Sequence, residues 1–350
     1  MDGTAVILTA GLYNSNAGKT AHGLVRGTER YDILGVIDSK DIGKDAGIIL
    51  DGQHRGIPIF ASLEAFVKET SQRPDYAIIG IASSGGKIPE EMYPVLKLAL
   101  SEGISLVSGL HEFLSEMPDF IALAEKHGAQ LIDVRKPKHR KDLHFWKGEI
   151  KQVSCPKIAV MGVDCAVGKR TTARFLTEAA RRAGLTAEMI YTGQTGWLQG
   201  NRYGFILDST VNDFVSGELE HAIVSCYKEQ SPDMIFVEGQ AALRNPSGPC
   251  GAEFLVSGQA DGVVLQAIPA RKQFKGWGHL GFDIPPIAKE IALIEMFESP
   301  VIAVTINSKD MSRDETMAIK QEYEAELGIP VLAPLYEGLD SLIPLIQGLK

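Results

Sequence analysis

The sequence predicts an α/β protein of two parallel-sheet domains in tandem. Three observations carry this. The chain has 350 residues, enough for two separate cores. Short apolar runs, each ending in small, hydroxyl or acidic residues, alternate with stretches of helical character through both halves. One such run, at residues 158–161, leads into a glycine-flanked loop and then a lysine at the start of a helix.

Composition narrows the class. A hydrophobic content of 45% with 23% charged residues is that of a globular protein. A net charge of −9 speaks against nucleic acid as the main partner. Cys155, Cys165, Cys226 and Cys250 have no spacing that reads as a zinc ribbon or disulfide framework, so free thiols in a reducing cytosol are expected. No apolar run reaches the roughly 18 residues of a membrane span, and the N-terminus lacks a basic-then-apolar export signal. The expectation is a cytoplasmic protein with a small acidic substrate, no nucleic-acid or membrane partner, and a homo-oligomeric state.

In the first half, residues 5–9, 33–37, 76–80, 105–107 and 130–134 read as strands, with a short helix around 111–114. That order builds an open, Rossmann-like parallel sheet over residues 1–135, whose ligands sit at the carboxyl ends of the strands. Asp38 closes the second strand, where a dinucleotide ribose is held, or else caps a loop. The first turn lacks a G-x-G-x-x-G, since Gly11 and Gly18 are seven apart. Gly18-Lys19-Thr20 at a helix start is a second, weaker anion signal. The run Lys136-Pro137-Lys138-His139-Arg140-Lys141 opens an exposed basic linker, residues 136–155, or a lid over an anionic ligand.

The second domain, residues 156–350, is organised by the stretch 157–172, KIAVMGVDCAVGKRTT. A buried strand, a loop with glycine at both ends (Gly162-Val163-Asp164-Cys165-Ala166-Val167-Gly168) and Lys169 at a helix start make a phosphate cradle, or P-loop. Backbone N–H groups and the helix N-terminus converge on one point, and the lysine adds a mobile charge. Five residues, rather than four, separate Gly162 from Gly168-Lys169, and Arg170 takes the usual Ser/Thr place. Thr171 or Thr172 would supply any metal-directed hydroxyl.

Further strands are expected at 186–191, 232–237, 262–267, 301–306 and 330–334, with a helix over 209–227 and another from Leu339. Their carboxyl ends carry the candidate ligand residues. Gln194 and Thr195 follow the first of them, and Arg202 in the next loop is suited to a carboxylate. Asp213 favours a helix dipole, or serves as metal ligand or base. Glu238 closes an apolar run where a nucleotide-bound magnesium takes an oxygen. Arg271 and Lys272 suit an acidic substrate or a phosphate. His279 lies in a glycine-flanked loop, and Asn307 has the donor and acceptor to read an adenine edge.

These pieces, in this order, resemble the SIMIBI class of P-loop proteins, dethiobiotin synthetase in particular. Gly162, Asp164, Val167, Gly168 and Lys169 match its G-x-D-x-x-V-G-K loop, and Val237-Glu238-Gly239 matches its V-E-G turn; that resemblance makes Glu238 a magnesium ligand. A fuller match rests on Lys19-Thr20-Ala21-His22-Gly23, Asp164-Cys165-Ala166-Val167-Gly168-Lys169, Thr192-Gly193-Gln194-Thr195-Gly196, Asp213-Phe214-Val215-Ser216-Gly217 and Glu238-Gly239-Gln240. On these the chain is identified as a member of a two-domain family long classed as of unknown function. One branch, DgcN, is a D-glutamate N-acetyltransferase that uses acetyl-CoA.

The resemblances imply two chemistries. In acetyl transfer, residues 162–172 hold a phosphate of CoA, Arg202, Arg244, Arg271 and Lys272 are candidates for the carboxylates of glutamate, and Asp213, Glu238 or His279 removes the ammonium proton. Lys169 or backbone N–H groups then stabilise the oxyanion. In ATP-dependent ligation, Lys169 bridges the phosphates, with Asp164, Thr171 and Glu238 around magnesium. A nucleotide-binding module without catalysis is the third reading. Arg170, a cation where a metal-directed hydroxyl belongs, leans toward CoA.

Overall fold

The computed structural model describes residues 2–349. The chain forms two compact units: residues 2–137 together with 194–201, and residues 138–193 together with 202–349.

The first unit contains, in chain order, β1 (Gly3–Leu8), α1 (Lys19–Arg26), β2 (Tyr31–Ile37), α2 (Ala46–Asp51), β3 (Ile59–Phe60), α3 (Leu63–Thr70), β4 (Tyr76–Ile79), α4 (Tyr93–Ser101), β5 (Ser105–Ser108), α5 (Pro118–His127) and β6 (Leu131–Asp133). The sheet is parallel with strand order β3-β2-β1-β4-β5-β6, the doubly wound arrangement. The helices start and stop where local chemistry directs. Ser62 caps α3 by accepting from the Ala65 N–H, and Gly52 and Gly128 close α2 and α5 in the left-handed region. The helix expected around residues 111–114 is instead a single 3-10 turn, Leu114–Glu116, held by the Asp133 carboxylate on the Leu114 and Ser115 N–H groups. Asp38 is spent as a loop cap. It accepts from Thr9 Oγ1 at 2.5 Å, Tyr13 N at 3.0 Å and Lys40 N at 2.8 Å, and is 2% exposed.

The rest of the chain provides β7 (Lys157–Gly162), α6 (Lys169–Arg182), β8 (Ala187–Ile190), α7 (Gln194–Leu198), α8 (Asn212–Gln230), β9 (Met234–Glu238), α9 (Ala252–Val256), β10 (Gly262–Ala267), α10 (Ile287–Glu295), β11 (Val301–Ile306), α11 (Arg313–Leu327), β12 (Val331–Leu332), α12 (Pro334–Glu337) and α13 (Ile343–Gln347). All but α7 belong to the second unit, a parallel sheet of order β12-β11-β10-β7-β9-β8. Every residue of β7, β9, β10 and β11 is buried, as a sheet covered on both faces requires.

The helix α7 departs from the sequence reading, which leaves residues 194–201 in the second domain as a polar tip. Leu198 enters the first unit's core, Trp197 lies under the Arg30 guanidinium at 4.1 Å, and Gln199 Nε2 donates to the carbonyls of Gly23 and Gly27. Residues 138–150 are anchored rather than a free linker. Glu218 and Glu220, both buried on α8, accept from the N–H groups of His144, Lys147 and Ile150.

Candidate functional site

The site forms at the carboxyl edge of the second sheet, where β7 gives way to the loop 163–168. Gly168 has φ +110°, a region only glycine enters without strain, and it turns the chain into α6. Behind the loop, Asn307 Nδ2 donates to the Val167 carbonyl at 2.7 Å, and Thr172 Oγ1 bonds the side chain of Gln266 on β10. The loop is therefore held from β10 and β11 as well as from its own strand. Asn307 contributes by bracing the loop backbone.

Asp164 is fully buried and its carboxylate is saturated. Oδ1 accepts from Cys165 N at 2.6 Å and Asn245 Nδ2 at 3.0 Å; Oδ2 accepts from Arg271 Nη1 and Lys275 N, each at 2.8 Å. Arg271 Nη1 also donates to the Cys165 carbonyl at 2.8 Å. Its other nitrogens have no partner among the described residues. They border a groove of about 620 Å³ lined by Ala270, Arg271, Lys272, Gln273, Asp283 and Ile284.

Lys169 is buried, with Nζ donating to the carbonyls of Asp164 at 2.7 Å and Ala241 at 2.6 Å. Burial pushes its ammonium down to about 8, against the opposing charges of Cys165, Asp164, Cys250 and Glu238. Glu238, at the end of β9, accepts from Thr192 N at 3.0 Å, and Thr192 Oγ1 donates to the Glu238 carbonyl at 2.7 Å. Burial holds the Glu238 carboxyl above its ordinary range, although Arg170 and the N–H groups of Thr192 and Gly193 pull the other way. The Thr171 hydroxyl has no partner among the described residues.

Of the other predicted residues, some have their own side-chain partners and some have none among the described residues. Arg202 is exposed and pairs with Glu229 on α8 at 2.5 Å. Arg244 is committed to buried Glu290, Nε to Oε2 at 2.8 Å, so its guanidinium already has a carboxylate. Gln194 and Thr195 lie on α7 in the first unit, where Gln194 Oε1 accepts from Arg135 Nη2 at 2.8 Å. Asp213, in the first turn of α8, and His279, in the turn Gly278–Leu280, are exposed and without a side-chain partner among the described residues. Sequence reasoning missed Asn245 and Gln266 as partners of the loop, because neither has a spacing that ties it to residues 162–172. Among the described residues, no group of three or more His, Cys, Asp or Glu side chains is placed to hold a metal ion, and no helix is long and apolar enough to cross a membrane.

A two-domain family accounts for this combination. Its P-loop domain, described as a domain of unknown function, matches residues 144–343, and its Rossmann-like N-terminal domain matches residues 39–137. The chain belongs to the DUF1611 family. A crystal structure of a DUF1611 family protein from Anabaena variabilis is 29% identical, with a TM-score of 0.88 over 98% of this chain and 99% of that one. Two proteins named D-glutamate N-acetyltransferase are also similar. The one from Tritonibacter scottomollicae is 32% identical and the one from a Pseudoalteromonas species 28%, each over 76% of this DUF1611 chain and 79% of the relative.

Proposed function

We propose that the chain is an N-acetyltransferase that moves the acetyl group of acetyl-CoA to the amino group of an acidic amino acid, with D-glutamate as the acceptor. The observation that carries the reading is the saturation of Asp164. With four donors on its carboxylate, Asp164 offers nothing to a nucleotide-bound cation. The loop that remains presents N–H groups and the cations Lys169 and Arg170, which suits a phosphate of CoA. The names of the two similar proteins support the same reaction. In this reading, the open nitrogens of Arg271 and the exposed Lys272 take the substrate's carboxylates in the groove beside the loop. The free amine attacks the thioester carbonyl; the C–N bond forms, the C–S bond breaks, and CoA leaves as its thiolate.

One observation favours ATP-dependent ligation instead. The unpartnered Thr171 hydroxyl and the Glu238 carboxyl flank the loop lysine on neighbouring elements, where a magnesium nucleotide takes its oxygens. The deciding experiment follows release of CoA thiol from acetyl-CoA with D-glutamate, with and without EDTA, beside hydrolysis of magnesium ATP. Thiol release indifferent to EDTA is expected. ATP consumption without thiol release would replace this reading with ligation.

A further inference from the structure

The groove beside the phosphate loop carries a charge of opposite sign to Arg271 and Lys272. Asp283 lines it, on the second limb of a short hairpin whose first limb is Lys272–Phe274. Ile284 N donates to the Lys272 carbonyl at 2.8 Å, and Phe274 N donates to the Phe282 carbonyl at 3.0 Å. These two bonds bracket Gln273 and Asp283, which face each other as a non-hydrogen-bonded antiparallel pair, the kind whose side chains stand closest. Gln273 Nε2 accordingly donates to Asp283 Oδ1 at 3.1 Å.

The hairpin is seated on the unit and tied to the loop. Phe274 is buried and Ile284 packs against the core of the second unit, so the alternation of an extended strand turns Gln273 and Asp283 outward. Arg271 Nη1 and Lys275 N both donate to Asp164 Oδ2 at 2.8 Å. Asp283 therefore stands across from the midpoint of the very segment, Arg271 to Lys275, that is bonded to the phosphate loop.

Asp283 is exposed, and it forms no ion pair among the described residues. With Oδ1 taken by Gln273, its Oδ2 is open. A phosphate or a plain diacid in this groove would gain from Arg271 and Lys272 and be opposed by Asp283. A ligand with two carboxylates and one ammonium gains from all three, because its charges are those of the groove with the signs reversed.

We propose that Asp283 is the ammonium-binding residue of the acceptor groove, an inference that rests on the acetyl-transfer reading for its ligand. Asp283 Oδ2 accepts from the α-ammonium while Arg271 and Lys272 hold the carboxylates, and the groove thereby selects an acidic amino acid over the diacid of the same length. The role is one of binding; no bond of the acceptor changes in it.

The test titrates the full chain calorimetrically with D-glutamate and with glutarate, which has the same two carboxylates and no amine. The wild type is expected to bind D-glutamate about tenfold more tightly. Asp283→Asn should weaken D-glutamate about tenfold and leave glutarate as tight or tighter, since a repelling charge is gone. Asp283→Lys should reverse the preference. In turnover, KM for D-glutamate should rise in Asp283→Asn while KM for acetyl-CoA holds. A preference unchanged in either variant would overturn the assignment. Equal losses of both ligands in Asp283→Asn would also overturn it, by making Asp283 a support of the hairpin. A wild type that releases CoA thiol with D-glutamate but shows no preference over glutarate would overturn this inference alone. A wild type that prefers D-glutamate but releases no thiol would overturn the acetyl-transfer reading and leave the ammonium site standing; one that does neither would overturn both.

Discussion

Arg271 Nη1 reaches 2.8 Å into the phosphate loop to bond both the buried carboxylate of Asp164 and the carbonyl of Cys165. This cation is the loop's latch onto the chain that follows β10. Asp164→Ala removes an acceptor shared by four donors, so Asn245 Nδ2 and the Cys165 and Lys275 N–H groups lose that carboxylate and Arg271 keeps only the Cys165 carbonyl. Breaking a buried pair from one side costs about 3–5 kcal/mol. Arg271→Ala leaves the carboxylate three N–H donors and costs less, about 1–3 kcal/mol. Urea unfolding of the second unit should rank the variants in that order; equal or negligible losses would remove the latch.

Lys169 predicts a pH dependence of cofactor binding. Its folded value of about 8 means that the ammonium is present in the free protein below that pH and lost above it. CoA affinity should therefore hold below pH 8 and weaken above. Lys169→Met should lose about 1.5–3 kcal/mol of binding, roughly 10- to 100-fold in Kd, and show a flat profile. Calorimetric titrations with CoA from pH 6.5 to 9.5 make the comparison, and a pH-dependent Kd in the methionine variant would contradict it. Stability has its own sign. Because the unfolded lysine titrates near 10.5, the unfolded chain holds more protons between pH 8 and 10.5, and this residue's contribution to stability rises with pH across that window.

Gly217 predicts how the 138–150 segment is held. A Cβ at this position would stand 2.0 Å from the His144 carbonyl oxygen and 2.5 Å from the Phe145 carbonyl carbon. Gly217→Ala should lift the segment off α8 and free the backbone at the already exposed Lys138, Arg140, Lys141 and Lys147 to enter trypsin's cleft. Faster cleavage there, with the remaining chain resistant, is the expected pattern. Unchanged cleavage would mean that the segment is held elsewhere.

The same contacts show what could be read in advance. The wholly buried strands β7, β9, β10 and β11 stand out as apolar runs, and the loop between Gly162 and Lys169 carries its own signature. Asp164 itself was visible, but its partners were not: Asn245, Arg271 and Lys275 lie 81, 107 and 111 residues away and meet only through the sheet order. The two-residue β3 is too short for any periodicity. The allegiance of residues 194–201 is decided by Leu198 and Gln199, whose burial and bonds depend on α1 rather than on their own sequence. Glu218 and His221 are three apart on one helix, a spacing that places them on one face, but nothing local reveals that His144 lies between them in space.

Glu238 separates the two chemistries most directly. Its carboxyl is held above the ordinary range by burial, so ionising it as pH rises through its folded value weakens the native state relative to the unfolded chain. Glu238→Gln supplies a neutral group whose carbonyl can still accept from Thr192 N, and its melting temperature at pH 8 should equal or exceed that of the wild type. In acetyl transfer the carboxylate holds no cation, so the glutamine variant should keep thiol release within about threefold, a change below 1 kcal/mol. In magnesium-dependent ligation the same substitution removes an oxygen ligand of the metal, and turnover should collapse while the fold persists. A wild-type chain whose turnover needs magnesium, and whose stable Glu238→Gln variant has lost that turnover, would therefore transfer the assignment from CoA to a magnesium nucleotide.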